Sequence, residues 1–190
     1  RAGSGPRETP REQAAALYIL ENRLVKNDIA ISELRGLLRL NEETGELFWL
    51  VTRGRAKAGA RAGTQDGQGY LTLTVNSKQH LAHRVVWALH HGMWPSSRLD
   101  HKDLNKSNNR PRNLRLATQS QNLGNTAVSV NNTSGHKGVC WHKQLGKWQA
   151  QIKVDGRNRY LGVFAEISTA KAAYAQAATA AWGNFARTTA

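Results

Sequence analysis

An Asp-His pair, two spaced asparagines and a polar segment with a helix-start signature fall together in one stretch of this 190-residue chain, LDHKDLNKSNNRPRNLRLATQSQNLGN from Leu99 to Asn125. Asp100 and His101 are adjacent, Asn113 follows Asp100 by thirteen residues, and Asn122 follows it by twenty-two. Asp100 and Asn122 each offer an oxygen to a hard divalent cation. Such a cation takes oxygen ligands and keeps several waters, so one carboxylate and one amide suffice. A neutral His101, with an ordinary pKa of about 6.5, accepts a proton near neutral pH. A water, a base for its proton and a cation for the developing charge are what phosphodiester hydrolysis needs. The set points to a metal-dependent nuclease, with Asn113 holding the loop and orienting the imidazole through a hydrogen bond. An isolated Asp-His dipeptide reads equally as a surface pair, and an Asn-rich loop as a turn; the four residues together carry the reading.

The flanking sequence must bring these groups to one place. Arg98 to His101 reads as a short strand and Asp103 to Arg112, rich in Asn, Lys, Ser and Pro, as a loop. Leu114 and Leu116 mark a second strand by alternation. Thr118 fits a helix N-cap, with Gln121 completing a capping box. A strand-loop-strand-helix unit places Asp100 or His101 across a small gap from Asn122.

This stretch resembles the HNH endonuclease motif in the variant of phage and intron-encoded homing endonucleases. The resemblance includes HLAHRVVWALHHG upstream and covers about residues 40 to 125. It implies that Asp100 and Asn122 bind one divalent metal, Mg²⁺ with Mn²⁺ as the other candidate, that His101 is the general base, and that Asn113 supports it. The final Asn, where many HNH enzymes have His, suits the homing-type variant. The His83-Arg84 pair resembles a recurring element of the family. His83 reads either as structural or as a group behind the site or against DNA.

The charge distribution agrees with a nucleic-acid partner. Net charge is +14 and the sequence pI near 10.6. Residues 51–130 hold twelve Lys/Arg against three Asp/Glu, and residues 131–190 eight against two, whereas residues 1–50 hold seven against eight. DNA-facing work is therefore expected after residue 50. The single Cys140 excludes an internal disulfide and a Cys-based zinc site. No apolar run approaches the roughly 18 residues of a membrane span, and no signal peptide is expected. The chain begins at Arg1 rather than Met, which suggests a trimmed or engineered terminus.

Taken in order, Arg1 to Glu8 reads as disordered, Thr9 starts a helix carrying Ala14, Leu17 and Leu24, and a second helix is expected over Ser32 to Leu40. The near-neutral charge favours packing or partner binding over a helix-turn-helix. A strand is expected at Glu46 to Val51. A basic loop follows with Arg53, Arg55, Lys57 and Arg61, which read as phosphate contacts or as a solvated charged loop. Tyr70 to Val75 and Gln79 to Ala82 form a hairpin, and His83 to His91 a helix stopped by Gly92. Trp87 and Trp94 read as packing residues, and His90 and His91 as exposed helix-end residues.

Thr126 to Ser134 reads as a linker. Beyond it, three strands are expected at Val139 to His142, Trp148 to Val154 and Arg159 to Phe164, then an Ala-rich helix from about Ser168 to Ala181 closed by Gly183. The residues Gly138-Val139, Gly146 to Trp148, Leu161 to Phe164 and Ala172 to Tyr174 resemble the plant ethylene-response-factor (Apetala-type) DNA-binding domain, which also occurs fused to HNH nucleases. The resemblance covers about Ser134 to Ala186. It implies a three-stranded sheet lying in the major groove, a groove wide enough for such a ribbon. It assigns DNA contact to Trp141, Lys143, Lys147, Trp148, Gln149, Gln151, Lys153, Arg157 and Arg159. The Trp residues read alternatively as core. Cys140 stands where the plant domains have Arg, and the first turn is one residue longer, so the target sequence does not transfer.

The expected architecture is α+β. A ββα-metal HNH nuclease core is preceded by a small antiparallel sheet and N-terminal helices, and followed by a three-stranded antiparallel sheet packed on one helix. The expected divisions are an N-terminal helical segment at 1–40, a nuclease domain at 41–126, a linker at 127–134 and a DNA-binding domain at 135–187. The expected function is a metal-dependent, site-preferring, homing-like endodeoxyribonuclease, whether nickase or double-strand cutter, that leaves 5′-phosphate and 3′-hydroxyl ends. Arg110 and Arg112 join the DNA contacts. The expected partner is double-stranded DNA, with no membrane, and the protein a monomer or weak dimer in the cytoplasm, phage-encoded in a bacterial host. Two alternatives are a sequence-specific DNA-binding protein with an inactive nuclease site and a binder of structured RNA.

Overall fold

A computed structural model describes residues 29–188, and the expected Thr9 helix lies outside them. Helix α1 (Ile31–Leu37) leads directly into strand β1 (Leu38–Asn41). The helix expected to reach Leu40 therefore ends three residues early. The cause is tertiary: Leu38 pairs with Trp49 across β1 and β2 (Glu46–Trp49), and this pairing buries both. Local helix propensity is a weak prior against such burial. Strand β3 (Arg61–Ala62) completes the first antiparallel sheet.

A second sheet joins β4 (Thr64–Gln65), β5 (Leu71–Val75) and β6 (Lys78–Leu81). Its hairpin turns on Asn76 and Ser77, both left-handed (φ 50° and 61°), the conformation that matches strand twist in two-residue turns. Helix α2 (Ala82–His91) follows, and Gly92 stops it in the left-handed conformation. Ala82, Val85 and Val86 lie on one face of α2 and meet Leu34, Leu47, Trp49, Leu73 and Val75 in one core. Leu114 of strand β8 (Leu114–Ala117) enters the same core and ties the β7–β8 hairpin to it. Strand β7 is Arg98–His101, as expected, and the short helix α3 is Gln119–Gly124.

A second apolar cluster belongs to strands β9 (Val139–His142), β10 (Lys147–Val154) and β11 (Arg157–Phe164), covered by helix α4 (Ile167–Trp182). Ala170, Tyr174, Ala178 and Trp182 recur every four residues along α4 and pack on Val139, Ala150, Ile152 and Val154. The observed fold is thus α+β with small antiparallel sheets. Among the described residues, no helix is long and apolar enough to cross a membrane.

The two clusters meet at α3. The Trp182 ring lies against Gly124, and its Nε1 donates to Ser120 Oγ at 3.0 Å. Lys137 Nζ donates to the carbonyls of Leu123, Gly124 and Thr126 at 3.0, 2.7 and 3.0 Å, which satisfies the open C-terminal end of α3. Burial, and then the Arg187 charge, push the Lys137 ammonium down to about 8.

Gly45, in the β1–β2 turn, has φ 72°, and a Cβ there would overlap the backbone of Asn109 and Arg110. The turn therefore presses on the loop between β7 and β8. Gly45→Ala is expected to lower the unfolding free energy measured by urea titration by more than the roughly 1 kcal/mol of a left-handed alanine alone, towards about 3 kcal/mol. Gly146→Ala, at φ 59° with open space around it, is the control and carries only the conformational cost.

Candidate active site

The β7–β8 register sets Asp100 opposite Arg115 and His101 opposite Leu114. Asp100 and His101 are 7% and 5% exposed. After β8, Thr118 Oγ accepts from the Gln121 N–H at 3.1 Å, and Gln121 Oε1 accepts from the Thr118 N–H at 2.8 Å, the expected capping box. This start aims α3 so that Asn122 joins Asp100, His101, Tyr70 and Asn125 around a cavity of about 200 Å³. A larger groove of about 930 Å³, between Trp87, His90, Arg112 and Leu116, holds none of the Asp-His-Asn set.

Asp100 is satisfied on two sides. Arg115 Nε donates to its Oδ2 at 2.8 Å. Asn125 Nδ2 lies 3.0 Å from both carboxylate oxygens and 2.9 Å from the His101 carbonyl. Neither residue stands out in the sequence. Arg115 was legible only by pairing the two strands residue by residue, and Asn125 only as the residue that ends α3. The amide oxygen of Asn122, by contrast, is buried with no hydrogen-bond partner among the described residues. A buried acceptor left unpaired is costly, so this oxygen suits a cation. Among the described residues, no group of three or more His, Cys, Asp or Glu gathers as a metal cluster. The oxygens present, one carboxylate and one amide, fit a hard cation that retains water.

The imidazole is held by Asn109, not by Asn113. His101 Nε2 lies 3.0 Å from Asn109 Oδ1, and Asn109 is 2% exposed. Asn113 holds the loop, as expected, but its amide donates to Asp103 Oδ1 at 2.9 Å and the Asn108 carbonyl at 2.8 Å, and it accepts from the Asp103 N–H at 3.2 Å. The expectation for Asn113 is corrected in that respect. The reason is geometric: Asn113 sits in a 3₁₀ turn (Pro111–Asn113) at the loop's base, whereas Asn109 is buried farther along the loop, against His101. Burial raises the Asp103 pKa, but hydrogen bonds from Asn108 and Asn113, the Asn105 N–H and the charge of His101 outweigh it and hold the carboxyl below its usual value.

His83 opens α2 and is buried beneath the site. Its ring centre lies 5.1 Å from that of His101, edge-on, and 5.5 Å from that of Tyr70. Arg84 beside it is half-buried. His90 and His91 end the helix exposed, with His90 Nδ1 3.2 Å from Glu42.

The expected cationic residues divide by environment. Arg55, Lys57, Arg110 and Arg112 are exposed. Arg53 lies over the Trp49 ring at 5.4 Å, and Arg61 pairs with Glu46 at 3.2 Å. On the C-terminal sheet, Lys147, Gln149, Gln151 and Lys153 alternate with Ala150, Ile152 and Val154, so they occupy the face turned from α4. Lys143 is exposed in the turn. Trp141 pairs with Trp148, Arg159 with Ile152 and Arg157 with Val154. Cross-strand partners share a face. The expectation that these four join the open face is therefore corrected: Trp148 packs into the core, Trp141 meets its ring edge-on with ring centres 5.0 Å apart, and both arginines emerge at the strand end on the helix side. Tyr160, opposite Gln151 and 64% exposed, lies on the open face and was missed, because a bulge between Ala150 and Gln151 shifts the register of β11.

Burial, then the His101 and Arg84 charges, push the His83 imidazole from 6.5 down to about 3. The unfolded chain protonates His83 at its ordinary value, whereas the fold keeps it neutral. Its contribution to stability is fully present above pH 6.5 and is lost as pH falls towards about 3, by at most about 1.4 kcal/mol per pH unit. Urea unfolding at neutral pH and at about pH 5 should show wild type losing more stability than His83→Gln. Equal losses would mean that His83 takes up its proton without unfolding.

Residues 80–123 match the family model described as HNH endonuclease. Among curated proteins, a relative is "Protein 3.8" of Escherichia phage T7, 36% identical over 76 residues, which is 40% of this chain and 63% of that protein. The chain thus spans less than two thirds of that relative's length. No solved structure gives a significant match. The Asp-His pair, the asparagine loop and Asn122 all fall within the matched segment, so the candidate site lies in the part of the chain that is similar to HNH endonucleases.

Proposed function

We propose that this protein is a metal-dependent DNA endonuclease that prefers particular sites, as homing endonucleases do. The observation that carries the reading is the unpartnered Asn122 oxygen sharing one cavity with Asp100 and His101. HNH nucleases generally use a divalent metal and act on DNA. Here Asp100 and Asn122 would hold a single Mg²⁺ or Mn²⁺. When bound, that ion supplies positive charge for the phosphate and the leaving 3′ oxygen.

His101 does the proton chemistry. Asn109 fixes one ring nitrogen, and the other takes a proton from water. The water oxygen attacks phosphorus, the bond from phosphorus to the 3′ oxygen breaks, and the 3′ oxygen is protonated by solvent. The products are 5′-phosphate and 3′-hydroxyl ends. Asn113, Asn108 and Asp103 keep the loop rigid so that Asn109 stays in register with the imidazole. His83, neutral across the working range, adds no competing charge behind the base.

Residues 41–126 would form the cutting unit and residues 135–187 a reading unit of the ethylene-response-factor type. Lys143, Lys147, Gln149, Gln151, Lys153 and Tyr160 would face a major groove. Arg55, Lys57, Arg110 and Arg112 would bind phosphates around the cut. The net charge of +14 supports strong, salt-dependent attraction to a duplex. We infer a monomer or weak dimer acting in the cytoplasm of a bacterial host.

Supercoiled-plasmid cleavage in Mg²⁺ tests the reading. His101→Ala should slow cleavage by at least about 100-fold, the usual range for a general base. Asn122→Ala should abolish cleavage while duplex binding stays within a few-fold. Asn109→Ala should lower kcat more than Asn113→Ala in variants of equal stability. Tight binding without product, from wild type in both Mg²⁺ and Mn²⁺ on plasmids bearing its own target, would support a DNA-binding protein with an inactive site. Preference for RNA over duplex DNA would support the RNA reading.

A further inference from the structure

Both groups that satisfy Asp100 are themselves held by the last residues of the described chain. Arg115 donates through Nε to Asp100 Oδ2, through Nη1 to the Asn184 carbonyl at 2.8 Å, and lies 3.7 Å from the centre of the Phe185 ring. Asn125 spans the carboxylate with its Nδ2, and its Oδ1 accepts from Arg187 Nε at 3.4 Å. Arg187 also donates to the Lys102 carbonyl at 3.2 Å and, through its N–H, to the Gly124 carbonyl at 3.2 Å. These residues follow α4 directly, and Trp182 at its end is anchored on Ser120 and Gly124.

The chemistry gives this arrangement a consequence. An unrestrained arginine grips a carboxylate with two parallel bonds, one to each oxygen. Such a grip on Asp100 competes with a cation for the same lone pairs. Here the Nη1 bond to Asn184 and the Phe185 ring set the orientation of the guanidinium, and Arg115 donates to Asp100 through Nε alone, to Oδ2. Among the described residues Oδ1 accepts only from Asn125 and keeps a lone pair. We propose that residues 184–187 are a positioning element for the metal-binding carboxylate. Phe185 restrains Arg115, and Arg187 restrains Asn125, so that Asp100 keeps one oxygen open to a divalent cation. This rests on the metal role of Asp100 given above. It makes the nuclease site incomplete without the C-terminal unit.

Mn²⁺ binding to the full chain without DNA, followed by electron paramagnetic resonance, tests this independently of cleavage. Wild type is compared with Asp100→Asn, Phe185→Ala, Phe185→Tyr, Arg187→Ala and Arg187→Lys, with thermal melts recorded in parallel. Phe185→Ala and Arg187→Ala should each weaken Mn²⁺ binding about tenfold, the usual effect of losing a group behind a metal ligand. Phe185→Tyr should bind as wild type, and duplex affinity of Phe185→Ala measured in EDTA should change by less than about twofold. Lower melting temperatures with unchanged Mn²⁺ affinity in both alanine variants would mean that the segment only stabilises the fold, and would overturn the proposal while Asp100→Asn still abolishes binding. Equal Mn²⁺ binding by wild type and Asp100→Asn would overturn the proposal together with the metal reading beneath it.

Discussion

Asp100 is a carboxylate with 7% of its surface exposed, and a charge in that position must be paired and hydrogen-bonded or it will not remain a charge. Much of the local structure follows from this requirement. The β7–β8 register delivers Arg115 from the facing strand. Helix α3, only six residues long, ends where Asn125 turns its amide back onto the carboxylate and onto the His101 carbonyl. A short helix with a weak apolar face has little stability of its own. It is fixed at its start by a capping box and at its end by Lys137, which belongs to the segment entering the second cluster. The site is a meeting point of two apolar cores rather than a feature of one.

The loop between β7 and β8 solves a related problem. Its short run of Asp, Asn and Ser side chains bonds to its own backbone and to itself, as in Asp103 with Asn105, Asn108 and Asn113, and Asn105 with Ser107. These residue types compete with regular structure by bonding locally. Here that tendency builds a rigid loop without an apolar core of its own, and the β1–β2 turn at Gly45 presses on it from outside. Asn109 is thereby held in a buried position from which it can reach His101.

Local signals were readable and tertiary ones were not. The alternation at Arg98–His101 and Leu114–Ala117, the Thr118–Gln121 cap, Gly92 after α2 and the Asn76-Ser77 turn each carry their cause within a few residues, and the structure has each where it was expected. The choice between Asn109 and Asn113 depends on which of the two the folded loop buries against His101. The roles of Arg115 and Asn125 depend on what Asp100 meets after folding. Parity on the C-terminal sheet failed for a different reason: the period of two survives along β10, but which face is covered is set by α4, and the bulge opposite Ala150 moves Tyr160 to the open side. Leu38 left its helix because Trp49 offered a better burial.

Several unfavourable features of the described residues gather around one place. Asn122 Oδ1, Asn109 Nδ2 and His83 Nδ1 are buried without partners among the described residues. Leu104 adopts φ 67°, a left-handed conformation that costs a branched residue about 1 kcal/mol or more. An imidazole is kept neutral under another imidazole. All of these surround Asp100 and His101, while the apolar clusters behind them are regularly packed. Sites where local preference and global fold disagree are where chemistry is expected. A fold selected only for stability would have filled the cavity and paired the Asn122 oxygen. Leaving that oxygen open beside a satisfied carboxylate is a cost the two cores can offset, since each well-buried aliphatic side chain contributes about 1.5–3 kcal/mol. These local costs therefore fall on the same residues that the chemistry uses.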